Sequence, residues 1–390
     1  MNSIRNTLEL RKFNKKQVIE ALRGHGELTK NEIARKLQLS VSTVGNIGRE
    51  LVDEGIVREG PSRQLSGGRS PRVLALCPGS RTMVCADLTR TEEIVIQLSD
   101  LNDNELAHTT KALKEDAHLA ELVEHVRSET GGLLARQGLP EGTCLGLGVI
   151  VPGWYDQFSG MVINSTNPVI EGSYLKRELE AALSLPVLVG NDANLGALAL
   201  SSLNGDSRRR HIALLYVGTG LGVGVFGDGH IVCGSHGFAA EIAHLPLGDS
   251  DVDCYCGQRG CLEGILSLPG ILRMYYGSDH PKGETGMQSL QRVIDSYRGG
   301  EPRAGEVIAC FADCLGLAVA VVINLFDCET VYLGGIVDSF FTDIISTVRS
   351  KAFDRIGFPD MRALQIKGLD STQRILFAGC AQMVFGNWAP

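Results

Sequence analysis

Glu241-Ile-Ala-His244 and, ten residues past that histidine, Cys254-Tyr-Cys256-Gly-Gln-Arg-Gly-Cys261-Leu-Glu263 form the stretch from which this chain's fold is read. Three cysteines within eight positions, separated by Gly257 and Gly260, aim three thiolates at one point. A structural zinc takes four N or S ligands in a tetrahedron, so the run predicts a metal-holding loop with a fourth ligand still to be named. His244 is the nearest candidate; His230 and His236 are also at hand. Three thiolates around an already crowded ion point to a structural site rather than one with an open position for water. The plain alternative is three thiols in a mobile loop. No Cys-x-x-Cys-His occurs, which excludes a covalently attached haem.

Most of the other cysteines in the total of 11 stand singly in apolar surroundings (Cys85, Cys144, Cys310, Cys314 and Cys380). They read as small core residues in a reducing compartment. The chain has 390 residues, 44% hydrophobic and 21% charged, the balance of a globular protein of two or three domains. No apolar run reaches the ~18–20 residues of a membrane span. The longest, Leu315 to Phe326, reads as a buried helix, and the polar Met1–Asn14 has no signal-peptide core, so the expected location is cytoplasmic.

Upstream of the cysteines the pattern is α/β. Strands are expected at 82–88, 93–98, 105–113, 144–151 and 187–190, with helices at 119–137 and 174–183. A second three-strand meander follows at 212–217, 222–226 and 230–233, opened by Gly218-Thr219-Gly220. Each meander places its first turn where a phosphate loop sits in the duplicated fold of actin and sugar kinases. A dinucleotide site fits worse, because Gly218-x-Gly220-x-Gly222 runs into strand-like residues and not a helix. Asn164–Asn167, Asn191-Asp192-Ala193-Asn194, Glu241 and Glu263 add amides and carboxylates at strand ends, the groups a polyhydroxylated ligand needs. Taken singly, each also suits a cap, a turn or a solvated surface.

The formal net charge of −8 hides a division. Residues 1–76 carry 14 Lys and Arg against 8 Asp and Glu, whereas the remainder carries 23 against 37. A basic head on an acidic body is the asymmetry of a small nucleic-acid module fused to something else. The head reads as a helix at 15–23 and a second begun by the capping box Thr29-Lys-Asn-Glu32. A third is capped by Ser40, with Val41, Val44, Ile47 and Leu51 inward. That is a helix-turn-helix, and Ser42, Thr43, Asn46 and Arg49 are its candidate DNA-contacting residues. Gly45 and Gly48 weaken the third helix, and close approach to DNA is one reason to tolerate them. Strands at 55–59 and 73–76 flank Pro61–Arg72, a wing whose Arg63, Arg69 and Arg72 suit phosphates or a minor groove.

Ser66-Gly67-Gly68-Arg69, Pro152-Gly153, Asn191-Asp192-Ala193-Asn194, Gly218-Thr219-Gly220, Glu241-x-x-His244, the cysteine signature and Gly334-Gly335 together resemble the ROK family of repressors, open reading frames and kinases. The resemblance covers essentially the whole chain. It implies a winged helix-turn-helix over 1–76 and a duplicated actin-like (ribonuclease H-like) body. The first lobe would span 77–190, joined by a C-terminal helix near 373–387, and the second 191–372 with the zinc loop. It names His244, Cys254, Cys256 and Cys261 as zinc ligands, one ion per chain. It also implies that Asn167, Asn191, Asp192, Glu241, His244 and Glu263 hold a sugar. Asp192 matches the kinases' catalytic base.

Two departures stand out. Asp87-Leu88-Thr89-Arg90-Thr91 occupies the first phosphate turn, where the kinases carry Asp-x-Gly-Gly-Thr, so side chains stand where backbone amides approach ATP. Ala243 replaces a usual glycine. The expectation is therefore a sugar-responsive repressor of sugar-utilisation genes without kinase activity, acting on double-stranded operator DNA as a homodimer or homotetramer. The alternative is an active ATP-dependent sugar kinase that also binds DNA. A protein partner as regulator is a third reading.

Overall fold

A computed structural model describes residues 2–60, 72–114, 116–139, 142–202, 211–247, 252–254, 256–279, 281 and 283–390. The head opens with α1 (Asn2–His25), which begins well before the helix expected at 15–23. Its early turns carry Leu10 and Phe13 exposed, so no buried stripe announces that part of the helix in the sequence. Then come β1 (Leu28–Thr29), α2 (Lys30–Leu37), α3 (Val41–Asp53), β2 (Val57–Gly60) and β3 (Val73–Leu76). The capping box at α2 is formed: Thr29 Oγ1 accepts from the Glu32 amide, and Glu32 accepts from the Thr29 amide at 2.7 Å. Ser40 caps α3 by accepting from the Thr43 amide. Val18, Ile19, Leu22, Ile33, Val44 and Leu51 are fully buried between the helices. The strands pair antiparallel in the order β1-β3-β2.

The body repeats one plan. The first half contains β4 (Thr82–Asp87), β5 (Glu93–Asp100), β6 (Glu105–Ala112), α4 (Leu119–Arg136), β7 (Cys144–Val151), a hairpin of β8 (Trp154–Asp156) and β9 (Met161–Ile163), α5 (Leu175–Leu183) and β10 (Val187–Asn191). The second contains α6 (Asp192–Ser202), β11 (Ile212–Val217), β12 (Leu221–Gly227), β13 (His230–Ile231), α7 (Leu268–Tyr276), α8 (Gly286–Arg298), α9 (Pro302–Phe326), β14 (Thr330–Gly335), α10 (Phe341–Phe353), β15 (Gln365–Gly368) and α11 (Thr372–Asn387). The sheets run β6-β5-β4-β7-β10 and β13-β12-β11-β14-β15, so strand order is the same in both. In each, the meander strands are antiparallel and the next two strands lie parallel to the first. This is the duplicated actin-like fold expected from the repeated meander.

Helix α9 is long and apolar enough to cross a membrane, contrary to the expectation that no segment reaches that length. It instead packs inside the second half, with 67% of its most apolar stretch buried, alongside Phe311, Leu315, Val319 and Ile323 of the core. Between the sheets, α6 lies on β11 and β12, α11 lies on β4 and β7, and the two helices pack against each other. Gly379 permits that approach, since a Cβ there would collide with the Leu195 carbonyl.

Candidate functional site

Strand β10 ends in Asn191, and α6 starts at once with Asp192. Asn191 Oδ1 caps α6 by accepting from the Asn194 amide at 3.1 Å, while its Nδ2 donates to the Gly153 carbonyl at 3.0 Å. Asp192 is thereby fixed at a helix N-terminus and at the carboxyl end of a parallel strand, where open α/β sheets bind ligands. Its Oδ1 accepts from the Ala193 amide at 2.7 Å. Burial pushes its carboxyl up to about 7, against that hydrogen bond, with the charges of Asp87 and Glu241 adding to the rise.

Around Asp192 lies a cavity of about 60 Å³ between the halves. Five of the six candidate sugar residues line it: Asn191, Asp192, Glu241, His244 and Glu263. Asn167 does not. It is wholly buried, with Nδ2 donating to the Leu88 and Arg90 carbonyls and Oδ1 accepting from the Val169 amide. Asn167 therefore staples the first turn from behind, and Asn164 and Thr166 of the same run face the cavity in its place. Trp154 and Tyr216 also line it, and neither was picked out from the sequence. Trp154 follows the quoted Pro152-Gly153, whereas Tyr216 sits inside an apolar strand that gives no polar signal.

Burial raises the Glu241 carboxyl, with the Trp154 indole partly offsetting it. Glu263 Oε1 accepts from the Leu221 amide at 3.2 Å. Its approach needs Gly220, because a Cβ there would meet that same oxygen. None of the described lining residues is Lys or Arg. Carboxyls and amides without a cation favour a neutral, hydroxyl-rich ligand over an anionic one.

The first turn is filled as expected. Asp87 Oδ1 accepts from both the Thr89 amide (2.9 Å) and the Thr89 hydroxyl (2.7 Å), and Thr89 faces the cavity. Arg90 turns to Glu93 at 2.5 Å.

The cysteine loop forms the neighbouring wall. His244, on a single 3-10 turn, and Cys254, Cys256 and Cys261 bring their ligand atoms within 4.8 Å of one another, and this cluster could hold a metal ion. Cys254 Sγ lies 3.6 Å from His244 Nδ1, and Cys256 Sγ lies 3.7 Å from Cys261 Sγ. Metal–sulfur and metal–nitrogen bonds of about 2.3 and 2.0–2.1 Å set tetrahedral edges near these lengths. His230 and His236 are not in the cluster. Gly257 (φ +88°) and Gly260 (φ +73°) make the turn between Cys256 and Cys261.

In the head, Ser42, Asn46 and Arg49 are exposed on α3, and Thr43 is half-buried. The hydroxyls of Ser42 and Thr43 both bond Ser40 Oγ at 2.8 Å, and Arg49 donates to Asn46 Oδ1 at 2.9 Å. Gly45 opens onto empty space, but Gly48 is inward. A Cβ on Gly48 would sit 3.1 Å from Leu74 Cδ1, so core packing and not DNA explains it. Arg72 bonds Glu59 at 2.9 Å, beside Lys30 on the same carboxylate. Arg63 and Arg69 lie outside the described residues.

The ROK family matches residues 94–365, and a winged helix-turn-helix DNA-binding family matches residues 14–58. The chain belongs to the ROK family. A putative xylose repressor from Caldicellulosiruptor is 25% identical over 97% of this chain and 96% of its own length. The Escherichia coli dual regulator NagC is 26% identical over 84% of this chain and 81% of its own. Among solved structures, a ROK family transcriptional regulator described as a homologue of E. coli MLC superposes with a TM-score of 0.78. Its identity is 21%, with 96% of this chain and 97% of that one covered. For this ROK protein the similarity therefore extends through head and body alike.

Proposed function

We propose that this ROK protein is a sugar-responsive transcriptional repressor. Its α3 reads one half-site of an operator, paired heads read the whole, and the cavity between the halves binds a neutral sugar. The observation that carries the reading is the cation-free, carboxyl- and amide-lined cavity on a chain that also carries a winged helix-turn-helix. Zinc suits the Cys3His donor set, and His244, Cys254, Cys256 and Cys261 would hold it. The ion would supply a rigid knot. His244 would meet it through one ring nitrogen and leave the other for a sugar hydroxyl, so metal and pocket would share one ring.

A contiguous route joins pocket and head. Asp192 begins α6, α6 packs on α11, and the C-terminal end of α11 takes two cations from α1. Lys16 donates to the carbonyls of Gly386 and Trp388. The Arg23 guanidinium lies 4.2 Å from the Phe385 ring centroid and bonds Asp103 at 2.6 Å. A sugar that shifts α6 biases the head, and operator binding biases sugar affinity by the same factor.

The test is operator-fragment retention with and without a sugar panel, beside melting-temperature shifts in the same panel. A sugar that raises the melting temperature and changes DNA retention supports the reading; sugars without effect on either overturn it.

One observation favours a second reading. A carboxyl near 7 in Asp192 is tuned for a general base, as in a sugar kinase. ATP with a hexose panel decides it: turnover that Asp192→Ala abolishes establishes the kinase, and its absence retains the sensor.

A further inference from the structure

The cavity of about 60 Å³ lies open between the two halves of the body. Trp154 is one of the side chains that line it. Its Nε1–H donates to Glu241 Oε1 at 2.5 Å, and its ring packs on Phe238 with centroids 4.1 Å apart and planes tilted by 38°. Trp154 belongs to the first half of the body, while Phe238 and Glu241 belong to the second, so the indole closes the cleft from one wall to the other.

The backbone beneath it is pinned. Gly153 (φ +90°) presses on the backbone of Asn164 and Ser165, leaving no room for a Cβ. Ser165 Oγ donates to the Pro152 carbonyl at 2.8 Å, Asn191 Nδ2 holds the Gly153 carbonyl, and Trp154 pairs with Ile163 across the hairpin. These contacts hold the backbone on which the indole stands. A sugar hydroxyl that reaches Glu241 meets a carboxylate whose Oε1 already accepts from the indole, and the ring lies beside the ligand as a wall.

We propose that Trp154 is the selectivity gate of the pocket. It admits unsubstituted pentoses and hexoses and rejects sugars enlarged by an N-acyl or glycosyl group. This rests on the sugar-binding reading above and adds the ligand class. Selection here is by exclusion, as bulk fixed at a wall penalises the larger ligand more than the smaller.

The experiment uses the full-length protein with D-xylose, D-glucose, N-acetyl-D-glucosamine and maltose, read by melting temperature and tryptophan fluorescence. The wild type should favour one of the first two over both larger sugars by about tenfold, the scale of one lost contact in a pocket. Trp388→Phe leaves Trp154 as the sole tryptophan, and its emission should shift as the favoured sugar saturates. Trp154→Leu should reduce the preference to near parity, and Trp154→Phe, which keeps a ring, should retain it. Phe238→Ala loosens the same wall from its exposed side and should also narrow the preference, which covers a Trp154→Leu protein that does not fold. A wild type that binds none of the four overturns the sugar reading and the gate with it. A wild type that binds, but prefers a substituted sugar or keeps its preference in Trp154→Leu and Phe238→Ala, overturns the gate alone.

Discussion

Strands β4 and β11 end at equivalent corners of two sheets with the same strand order, and the turns that follow them are built in opposite ways. After β4, Asp87 accepts from the amide and hydroxyl of Thr89, two residues on, so the first turn is sealed by its own neighbours. After β11, Gly218-Thr219-Gly220 carries little side chain, and the carboxylate that meets it comes from Glu263, 42 residues from the Leu221 amide it accepts. Both corners thus commit an amide to a protein carboxylate. The first does so locally, and the second only while the cysteine loop holds Glu263 in place. The duplicated plan has two such corners; here the first is closed by its own side chains and the second forms part of the cavity's wall.

The largest break in this comparison should come from Cys261→Ser. A structural zinc contributes on the order of 10 kcal/mol to small domains that depend on it, so losing one ligand should release the loop from Leu245 to Glu263. Metal content measured by emission spectroscopy should fall from about one ion per chain toward none, sugar binding should vanish, and the melting temperature should drop. A variant that keeps both ion and sugar affinity would break the dependence of the second corner on the loop. Next in size is Gly220→Ala, whose added Cβ displaces Glu263. Losing hydrogen bonds to a charged group costs about 1.5–3 kcal/mol, so titration calorimetry should find sugar binding weakened by about 10–100-fold. The matching change at the first corner, Thr89→Gly with Arg90→Gly, should leave sugar affinity within a few-fold and should not create ATP turnover, because reopening that turn leaves Leu221 on Glu263.

The sequence carried this asymmetry in part. Thr89 and Arg90 in place of glycines were legible, because a side chain at a phosphate turn is a local fact. The three thiols of the cluster that could hold a metal ion were legible from cysteine spacing, and the capping box of α2 from four adjacent residues. Asn167 was not. It lies in a polar run beside the pocket, but its amide is committed to carbonyls 79 and 77 residues away, at Leu88 and Arg90, and only the tertiary fold sets that direction. Trp154 and Phe238 failed to register for the same reason, being far apart in the chain and in contact across the cleft. Helices α7, α8 and α10 went unread, and α1 was read only where it buries residues.

Asp192→Asn sharpens the comparison through pH. The Asp192 carboxyl is raised from about 4 in the unfolded chain to about 7 in the fold, so between these values the native state holds an extra proton. Stability therefore falls as pH rises through that window, and the full penalty is present above about 7. Three units correspond to a ceiling of about 4 kcal/mol. Without sugar, Asp192→Asn should melt above wild type at pH 8, with the gap closing toward pH 4. A gap that is constant with pH would mean the carboxyl is not the strained group.

The smallest effect should come from the first corner's outer ion pair. Arg90 and Glu93 are 2.5 Å apart, but their side chains are 50% and 30% exposed, and such pairs contribute about 0–1 kcal/mol. The Arg90 carbonyl, not its guanidinium, is what Asn167 grips. Arg90→Ala should accordingly leave melting temperature and sugar affinity almost unchanged. Asn167→Ala, which removes the staple from the backbone, should lower the melting temperature clearly. If Arg90→Ala proves the more damaging of the two, the first corner is held by its charge rather than its backbone, and its self-sufficiency is lost.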